Sequence, residues 1–402
     1  MTPALLRQQK LAAQLAATEP KVRAIYVATY IPRECGIATF TKDLTNAINV
    51  LNPHRLADIV ALDDESLGGE RLNYPWEVKY KIDLKSLKSF LDAADYINQS
   101  GAEVVSIQHE FGIFGGKYGD YVVPFVEAIK KPVVLTYHTV LPSPNEQQKV
   151  IIERISARAK AIVVMVKTAA DRLVDVYGVD PKKIVVIPHG IPDITFGPTQ
   201  THKAALGHSS KTLISGFGLL GRGKGYEYAI EAMKEIVAKH PDAYLLLLGQ
   251  THPVVLRNEG EKYRQSLKRQ VKRLGLENNI EFVNRYLSLP EIVSYLQATD
   301  IYITPFPGLD QITSGTLAYA IGAGKACVST PYLFAKEVLD DNRGLLTEPD
   351  SAKDLAEKII YLLDHPRKRL DMARRAYAYA RNMIWPSVGL KYLELFSIVT
   401  GQ

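Results

Sequence analysis

The 402-residue sequence contains little cysteine and no long hydrophobic run. Two cysteines, Cys35 and Cys327, are too few for a disulfide scaffold or a four-cysteine zinc site. No stretch approaches the roughly 18 consecutive apolar residues of a membrane-spanning helix. Residues 1–21 lack the apolar core and small-residue cleavage site of a signal peptide. We therefore expect a cytoplasmic protein without a transmembrane segment.

Charge of one sign is not in large excess either. The 49 Lys and Arg against 43 Asp and Glu give a net charge of +6, without the basic clusters of nucleic-acid-binding proteins. With 47% hydrophobic and 23% charged residues, the composition excludes a disordered, collagen-like or coiled-coil chain. The sequence also lacks H-E-x-x-H, D-x-D and G-x-S-x-G motifs. We expect no nucleic-acid partner, no metal or other cofactor and no covalent nucleophile.

Strand-like apolar runs alternate with helical segments along the whole chain. The runs are almost continuously apolar, as in parallel strands that are covered on both faces. Two successive series of six such strands predict two α/β domains, residues 1–195 and 205–385, with a polar linker over 192–211. Ligands bind beyond the carboxyl ends of strands in such domains. The functional motifs should therefore follow strands and face a cleft between the domains.

The strongest motif is a glycine-rich turn between a strand and a helix, residues 216–233. Glycines such as Gly218 permit close backbone approach, and Lys224 with the helix N-terminus supplies positive potential for a phosphate or diphosphate. Gly218, Gly223 and Lys224 also fit the spacing of a P-loop, but Gly225 stands where Ser or Thr should hold Mg²⁺. A nucleoside triphosphatase is therefore disfavoured. A turn without a ligand is the remaining alternative.

A second motif follows the predicted strand that ends at Phe306. Ser314, Gly315 and Thr316 precede a helix, where unpaired N–H groups suit an anion or sugar hydroxyls. Taken alone, the pattern is explained as well by an ordinary Ser/Thr helix cap.

In the first half, polar residues follow three apolar strands. Gly36 lies in the first strand-to-helix turn, and His109-Glu110 and His138 each end a strand. A single histidine is more often structural than a ligand. Two histidines at strand ends of one sheet favour a polyhydroxy substrate or a phosphate. His189 also ends a strand, and we interpret it as part of a turn.

Together these segments resemble the family-4 retaining glycosyltransferases of the GT-B fold over nearly the whole chain. The resemblance rests on the Gly36 turn, His138, the Lys224-Gly225 turn, the segment after Phe306 and the C-terminal helix. It implies two Rossmann-like doubly wound domains, the first on the acceptor side and the second binding the donor. Residues 386–402 would form a helix that returns to the first domain. Transfer would retain the anomeric configuration without a metal.

The resemblance also implies roles for residues. Lys224 would neutralise the leaving diphosphate, Gly36 would let the chain approach the donor, and His138 would contact the sugar or its departing oxygen. The predicted residues are as follows: catalytic His138, Lys224 and Arg222; donor-binding Gly36, Gly218, Leu219, Lys224, Gln311, Ser314, Gly315, Thr316 and Tyr319; sugar-binding Asp310, Gln311, His109, Glu110 and His138.

The sequence departs from the family's pattern at three places. Aligned on Gly324-Lys325, the two usual glutamates are replaced by Gln311, or its neighbour Asp310, at the sugar and by Tyr319 at the ribose. The family's arginine before the Lys-Gly turn falls on Leu219, which leaves Arg222 as a displaced substitute. The lysine expected at the phosphates is thus kept, whereas the carboxylate expected at the ribose is lost.

Three functions follow from this pattern. The first is a hexosyltransferase, mannosyl or glucosyl, that uses a nucleotide sugar and a carbohydrate or other hydroxyl acceptor. The second is a retaining phosphorylase that uses inorganic phosphate and a sugar 1-phosphate, because the phosphate ligands remain while the ribose carboxylate is lost. The third is a non-catalytic sugar- or nucleotide-binding protein. A dinucleotide-dependent oxidoreductase fits the sequence less well than these three, since neither half begins with a G-x-G-x-x-G motif followed by an acidic residue.

Overall fold

The computed structural model describes residues 22–63 and 72–402, and they divide into two compact units. The first unit holds the described residues up to 164, residues 170–187 and residues 386–402. The second holds residues 165–169 and 188–385. Within the described ranges no helix has both the length and the apolarity to cross a membrane.

The first unit is built on a seven-stranded parallel sheet in the order β3-β2-β1-β4-β5-β6-β7. Its strands are β1 Ala24–Ala28, β2 Asp58–Asp63, β3 Val78–Asp83, β4 Val104–His109, β5 Val133–Tyr137, β6 Ala161–Val164 and β7 Ile184–Val186. The central strands β1, β4 and β5 are buried along their whole length, as continuous apolar runs require.

The sequence predicted six strands here, and that count was wrong. The seventh strand, β3, is an edge strand whose residues are mostly half-exposed or exposed. Its sequence, VKYKID, alternates polar and apolar residues. It therefore lacks the continuous apolarity by which the buried strands were recognised.

Among the described residues, six α-helices accompany this sheet. They are α1 Gly36–Leu51, α2 Leu87–Gln99, α3 Val122–Ala128, α4 Glu146–Arg158, α5 Lys167–Tyr177 and the C-terminal α15 Trp385–Thr400. The C-terminal helix packs on β1 and β5, because the Phe396 ring lies 6.2 Å from that of Tyr26 and the Tyr392 hydroxyl lies 3.1 Å from Thr136 Oγ1. Residues 386–402 thus pack within the first unit.

The second unit is built on a six-stranded parallel sheet in the order β10-β9-β8-β11-β12-β13. Its strands are β8 Thr212–Phe217, β9 Ala243–Leu248, β10 Ile280–Val283, β11 Ile301–Thr304, β12 Ala326–Ser329 and β13 Gly344–Leu346. All six were predicted from their apolar runs. The order reverses between β8 and β11, so the loops after these two strands flank a crevice in which doubly wound sheets bind ligands.

The helices of the second unit are α6 Gln200–Ala205, which precedes the first strand, α7 Tyr226–Lys239, α8 Pro253–Glu259, α9 Lys262–Leu274, α10 Leu289–Ala298, α11 Gly315–Gly322 and α12 Leu333–Val338 between the strands, and α13 Ala352–Asp364 and α14 Pro366–Ala380 after the last strand. Apolar faces of α7, α9 and α13 bury one side of the sheet in a single core. Helix α6 lies inside the stretch that the sequence predicted as an aperiodic linker, 192–211, so that stretch is partly helical.

Candidate active site

The glycine-rich turn after β8 and the Ser-Gly-Thr segment after β11 meet at the point where the strand order reverses. Gly218 has a φ of +128°, and a β carbon there would lie 3.3 Å from Cγ2 of Thr316 and 3.5 Å from Nζ of Lys224. Two motifs almost a hundred residues apart therefore line one small space. Only a glycine leaves that space open to a ligand.

The Lys224 ammonium lies in this space. It is 4.3 Å from the ring centroid of Phe306, and no carboxylate of residues 22–63 or 72–402 pairs with it. Burial therefore lowers the pKa of Lys224 to about 8, because desolvation penalises the charged form and nothing compensates it. An anion beside this lysine would supply the missing compensation.

Gly225, which breaks the P-loop pattern, has a conformational role. Its φ is +61°, and a β carbon there would lie 2.0 Å from the carbonyl oxygen of Pro305. The left-handed residue turns the chain from Lys224 directly into α7. This close approach to the loop after β11 requires glycine.

Ser314 acts as the cap of α11. Its Oγ accepts a hydrogen bond from the backbone N–H of Leu317 at 3.3 Å, and it also lies 3.3 Å from Oγ1 of Thr316. The buried hydroxyls of Tyr332 and Tyr302 hydrogen-bond Ser314 and Thr316 respectively. The Ser/Thr helix cap, which the sequence offered as an alternative to a ligand site, is therefore present. The same serine also positions the Thr316 side chain beside Gly218.

His189, interpreted from sequence as part of a turn, lies against the same segment. Its Nδ1 is 2.7 Å from the carbonyl oxygen of Gly190, which can only accept, so Nδ1 carries the proton. Its Nε2 lies 3.1 Å from where a β carbon of Gly315 would be. Burial lowers the pKa of His189 to about 4, so the ring is neutral near pH 7. The only sequence signal was its place after β7.

Tyr319 is buried on α11. Its ring lies 6.2 Å from that of Phe217 and 6.3 Å from that of His189. By contrast Gln311 is exposed, with its Nε2 donating to the carbonyl oxygen of Thr313 at 2.7 Å, and Asp310 is exposed beside it. The residues at the two replaced glutamate positions thus differ sharply in environment.

Arg222 has its described contacts away from Gly218 and Thr316. The exposed guanidinium lies 5.5 Å from the ring centroid of Tyr263 and its Nε lies 3.9 Å from Oε2 of Glu259. It lines an open surface cavity of about 490 Å³. Leu219, where the family has arginine, is half-buried in the turn. The structure therefore brings Lys224, but not Arg222, to the side chain of Thr316.

In the first unit, His138 is held at the end of β5. Its Nε2 lies 3.0 Å from Oε1 of Gln108 on β4, so Nε2 carries the proton that the amide oxygen accepts. The ring packs edge-on against Phe40 of α1 at 5.0 Å. Gly36, the first residue of α1, has open space where a β carbon would be. The N-terminus of α1 is therefore accessible, and the same helix holds Phe40 against the imidazole.

Glu110 follows β4 and is largely buried. Its carboxylate accepts hydrogen bonds from the Thr139 hydroxyl and from the backbone N–H of Phe111, yet burial raises its pKa above the usual value. The carboxylate and the Thr139 hydroxyl form a polar pair next to His138 in sequence.

The predicted sugar contact of His109 does not fit its position in the structure. The ring is fully buried among Phe111, Phe114 and Tyr137, at centroid distances of 5.2, 5.6 and 5.2 Å. Neither ring nitrogen has a hydrogen-bond partner within the described part of the chain. Burial lowers the pKa of His109 to about 3, so the ring stays neutral. Its side chain faces the core, whereas that of Glu110 faces Thr139.

No group of three or more His, Cys, Asp or Glu side chains that could hold a metal ion occurs among residues 22–63 and 72–402.

Comparison with known families matches both halves of the chain. Residues 37–193 match the family described as Glycosyltransferase Family 4, and residues 199–379 match Glycosyl transferases group 1. The chain is therefore a glycosyltransferase that carries both of these domains. The resemblance inferred from the sequence is therefore confirmed.

Curated relatives of this glycosyltransferase are distant. It is 25% identical over 293 residues to D-inositol 3-phosphate glycosyltransferase of Corynebacterium aurimucosum, which covers 66% of each chain. It is 24% identical over 239 residues to mannosylfructose-phosphate synthase of Agrobacterium fabrum, 56% of this chain and 50% of that protein. The alignments thus span just under two thirds or less of the relatives' own length.

Solved structures resemble this glycosyltransferase over nearly its whole length. Anabaena HepE, crystallised with UDP, matches with a TM-score of 0.73 at 17% identity, covering 94% of this chain and 100% of HepE. Sucrose-phosphate synthase of Thermosynechococcus elongatus matches with a TM-score of 0.75 at 16% identity, covering 94% and 99%. The predicted GT-B fold is confirmed.

Proposed function

We propose that the protein is a retaining, metal-independent glycosyltransferase that moves a hexosyl group from a nucleotide sugar to a hydroxyl acceptor. The observation that carries the proposal is Lys224, a partly buried ammonium beside Gly218 and Thr316 with which no carboxylate of the described residues pairs. A nucleoside diphosphate is an anion that fits this place. A mannosyl or glucosyl donor is supported by relatives named as a mannosyltransferase and a mannosylfructose-phosphate synthase, and by HepE crystallised with UDP-glucose.

In the proposed reaction the bond between the anomeric carbon and the diphosphate oxygen breaks. The same carbon forms a bond to the acceptor oxygen on the same face, and the acceptor proton passes to the departing diphosphate. Lys224 would neutralise the charge that develops on the leaving oxygen, and such a group contributes about 3–4 kcal/mol to transition-state stabilisation. The missing side chain of Gly218 would let the diphosphate approach the backbone, and Thr316 would offer a hydroxyl.

The first unit would supply the contacts to the sugars. His138 would contact the transferred sugar, with its ring orientation fixed by the hydrogen bond to Gln108. Glu110 and Thr139 would bind hydroxyls of a carbohydrate acceptor, because a carboxylate and a hydroxyl together accept and donate hydrogen bonds.

A phosphorylase is the second candidate, and Tyr319 is the observation that favours it. At this position the ring is buried between Phe217 and His189 and provides no carboxylate for ribose hydroxyls. Inorganic phosphate beside Lys224 would then replace the nucleotide.

A ligand screen followed by a transfer assay tests the proposal. UDP, GDP, ADP and inorganic phosphate are each added in a thermal-unfolding experiment, where ligand at a hundred times its Kd stabilises by about 2.7 kcal/mol. We expect one nucleoside diphosphate to stabilise the protein and its sugar to be transferred with retained configuration, read by NMR of the product. Stabilisation by phosphate alone would establish the phosphorylase instead. Nucleotide binding without transfer to any acceptor would favour the non-catalytic alternative.

A further inference from the structure

The loop after β9 supports the glycine-rich turn from behind. This support loop, residues 249–252, extends the β8–β9 pairing beyond both strands: the Leu220 N–H donates to the Gln250 carbonyl at 2.7 Å, and the His252 N–H donates to the Leu220 carbonyl at 2.9 Å. The position of the turn that carries Gly218 therefore depends on the position of the support loop.

Gly249 and Gly218 are in direct backbone contact. Gly249 has a φ of +131°, and a β carbon there would lie only 2.2 Å from the carbonyl oxygen of Gly218. The α carbon of Gly218 in turn faces the Lys224 ammonium and Thr316. A displacement of Gly249 would be transmitted to the space beside Lys224, because close-packed backbone atoms cannot interpenetrate.

Arg264, on α9, holds the support loop. Its side chain is 3% exposed, and Nη2 donates to the Gly249 carbonyl at 3.0 Å and to Oγ1 of Thr251 at 3.3 Å. Its Nε donates to Oε2 of Glu261 at 3.0 Å, and the Thr251 hydroxyl donates to the same oxygen at 2.7 Å. Arg264, Thr251 and Glu261 thus form a closed network around the Gly249 carbonyl.

Stability alone does not explain this buried charge. Nη1 of Arg264 is buried and has no hydrogen-bond partner in the described parts of the chain. A buried ion pair is often matched or exceeded in stability by apolar residues of the same volume. What apolar side chains could not do is hold a backbone carbonyl and a hydroxyl at fixed positions.

We propose that Arg264 is a positioning residue for donor binding: with Thr251 and Glu261 it fixes Gly249, and through Gly249 the Gly218 turn that receives the diphosphate beside Lys224. The inference rests on the proposed function, because it assumes that the diphosphate binds there. Arg264 itself touches no reacting atom.

The test uses the full-length protein and conservative variants. Arg264→Lys keeps the positive charge but cannot reach Glu261, Gly249 and Thr251 together, and Thr251→Val is nearly isosteric but removes the hydroxyl. Two variants serve as controls. Thr251→Ser keeps the hydroxyl, and Arg269→Lys makes the same Arg-to-Lys exchange at an exposed position of α9. Binding of UDP, GDP and pyrophosphate is measured by calorimetry, the unliganded Tm by thermal unfolding, and KM and kcat with the donor that is found.

We expect Arg264→Lys and Thr251→Val each to weaken binding about tenfold, the equivalent of one charged hydrogen bond. The double variant should lose no more than the single variants, since both act through Gly249. Thr251→Ser and Arg269→Lys should bind within about twofold of the wild type, because each keeps the network. The loss should fall mainly on the donor's KM.

Wild-type affinity in both Arg264→Lys and Thr251→Val, with a lowered Tm, would reduce the network to a structural role and overturn the inference. Lys224→Ala distinguishes this failure from that of the proposed function. If Lys224→Ala loses diphosphate binding while Arg264→Lys keeps it, only the positioning role fails. If Lys224→Ala binds pyrophosphate normally, or the wild type binds none of the probes, the proposed diphosphate site fails with it.

Discussion

Replacing Lys224 by methionine should stabilise the protein without ligand while weakening diphosphate binding. The pKa of Lys224 falls from its ordinary 10.5 to about 8, and each unit of pKa corresponds to about 1.4 kcal/mol, so the desolvated charge destabilises the native state by no more than that shift allows. The full shift corresponds to about 3.5 kcal/mol. Because the side chain keeps some contact with water, we expect a smaller gain of about 1–3 kcal/mol in Lys224→Met at pH 7.

The stability difference between Lys224→Met and the wild type should depend on pH. A lysine whose pKa is lower in the folded than in the unfolded state binds fewer protons when folded, so the wild type gains stability as the pH rises from about 8 toward 10.5. The advantage of Lys224→Met should therefore be largest at pH 7 and shrink above pH 8. Donor affinity of the wild type should fall over the same range, as the ammonium loses its charge.

Urea unfolding at pH 7 and pH 9.5, with calorimetry of UDP, GDP and pyrophosphate, measures both effects. Lys234→Met, an exposed lysine on α7, is the control and should change the free energy of unfolding by less than about 0.5 kcal/mol. A Lys224→Met protein that is less stable than the wild type at pH 7, or that binds diphosphate equally well, would refute the reasoning.

Three further predictions concern buried or constrained positions. His109→Leu should raise the free energy of unfolding in urea by about 1 kcal/mol, since it removes a buried ring whose nitrogens have no partner among the described residues. A stable His109→Leu variant that has lost activity would instead support the predicted sugar contact. Gly225→Ala should lower stability by about 1–3 kcal/mol and donor affinity with it, whereas Gly223→Ala, with open space around it, should not. Tyr319→Glu should lower the Tm because a carboxylate is buried beside Phe217; UDP or GDP should offset this in a nucleotide-sugar transferase, while phosphate binding should weaken in a phosphorylase.

Of the thirteen strands that the structure describes, the sequence could predict twelve, because a mainly apolar run is a local signal. Most of them are short runs of mainly apolar residues, and this pattern can be recognised without knowing which strands pair with them. The exception, β3, lies at an edge and alternates, so its strand character depends on pairing with β2. The order strand, glycines, lysine, helix is equally local, and it identified Lys224 correctly as lying in a turn at the end of a strand.

What the sequence could not supply is the environment of each charged or polar side chain. Arg222 and Lys224 are two residues apart, yet the first is exposed over Tyr263 and the second lies desolvated beside Phe306. His109 and His138 both end apolar strands, and only the tertiary contacts separate a ring enclosed by aromatics from one held by Gln108. Burial and charge compensation are sums over neighbours distant in sequence, so local patterns do not contain them.

By itself, then, the sequence determined the α/β class, the two sheet-forming series and the turn that carries Lys224, because periodicity and glycine placement act over a few residues. Only the tertiary structure decided that Gly218 faces Thr316, that His189 lies beside Gly315, and that Arg264, within a helix rich in lysine and arginine, is buried against the Gly249 carbonyl. The physical reason is that each of these contacts joins segments that are apart in the sequence, and they meet only when the helices and loops pack on the completed sheet.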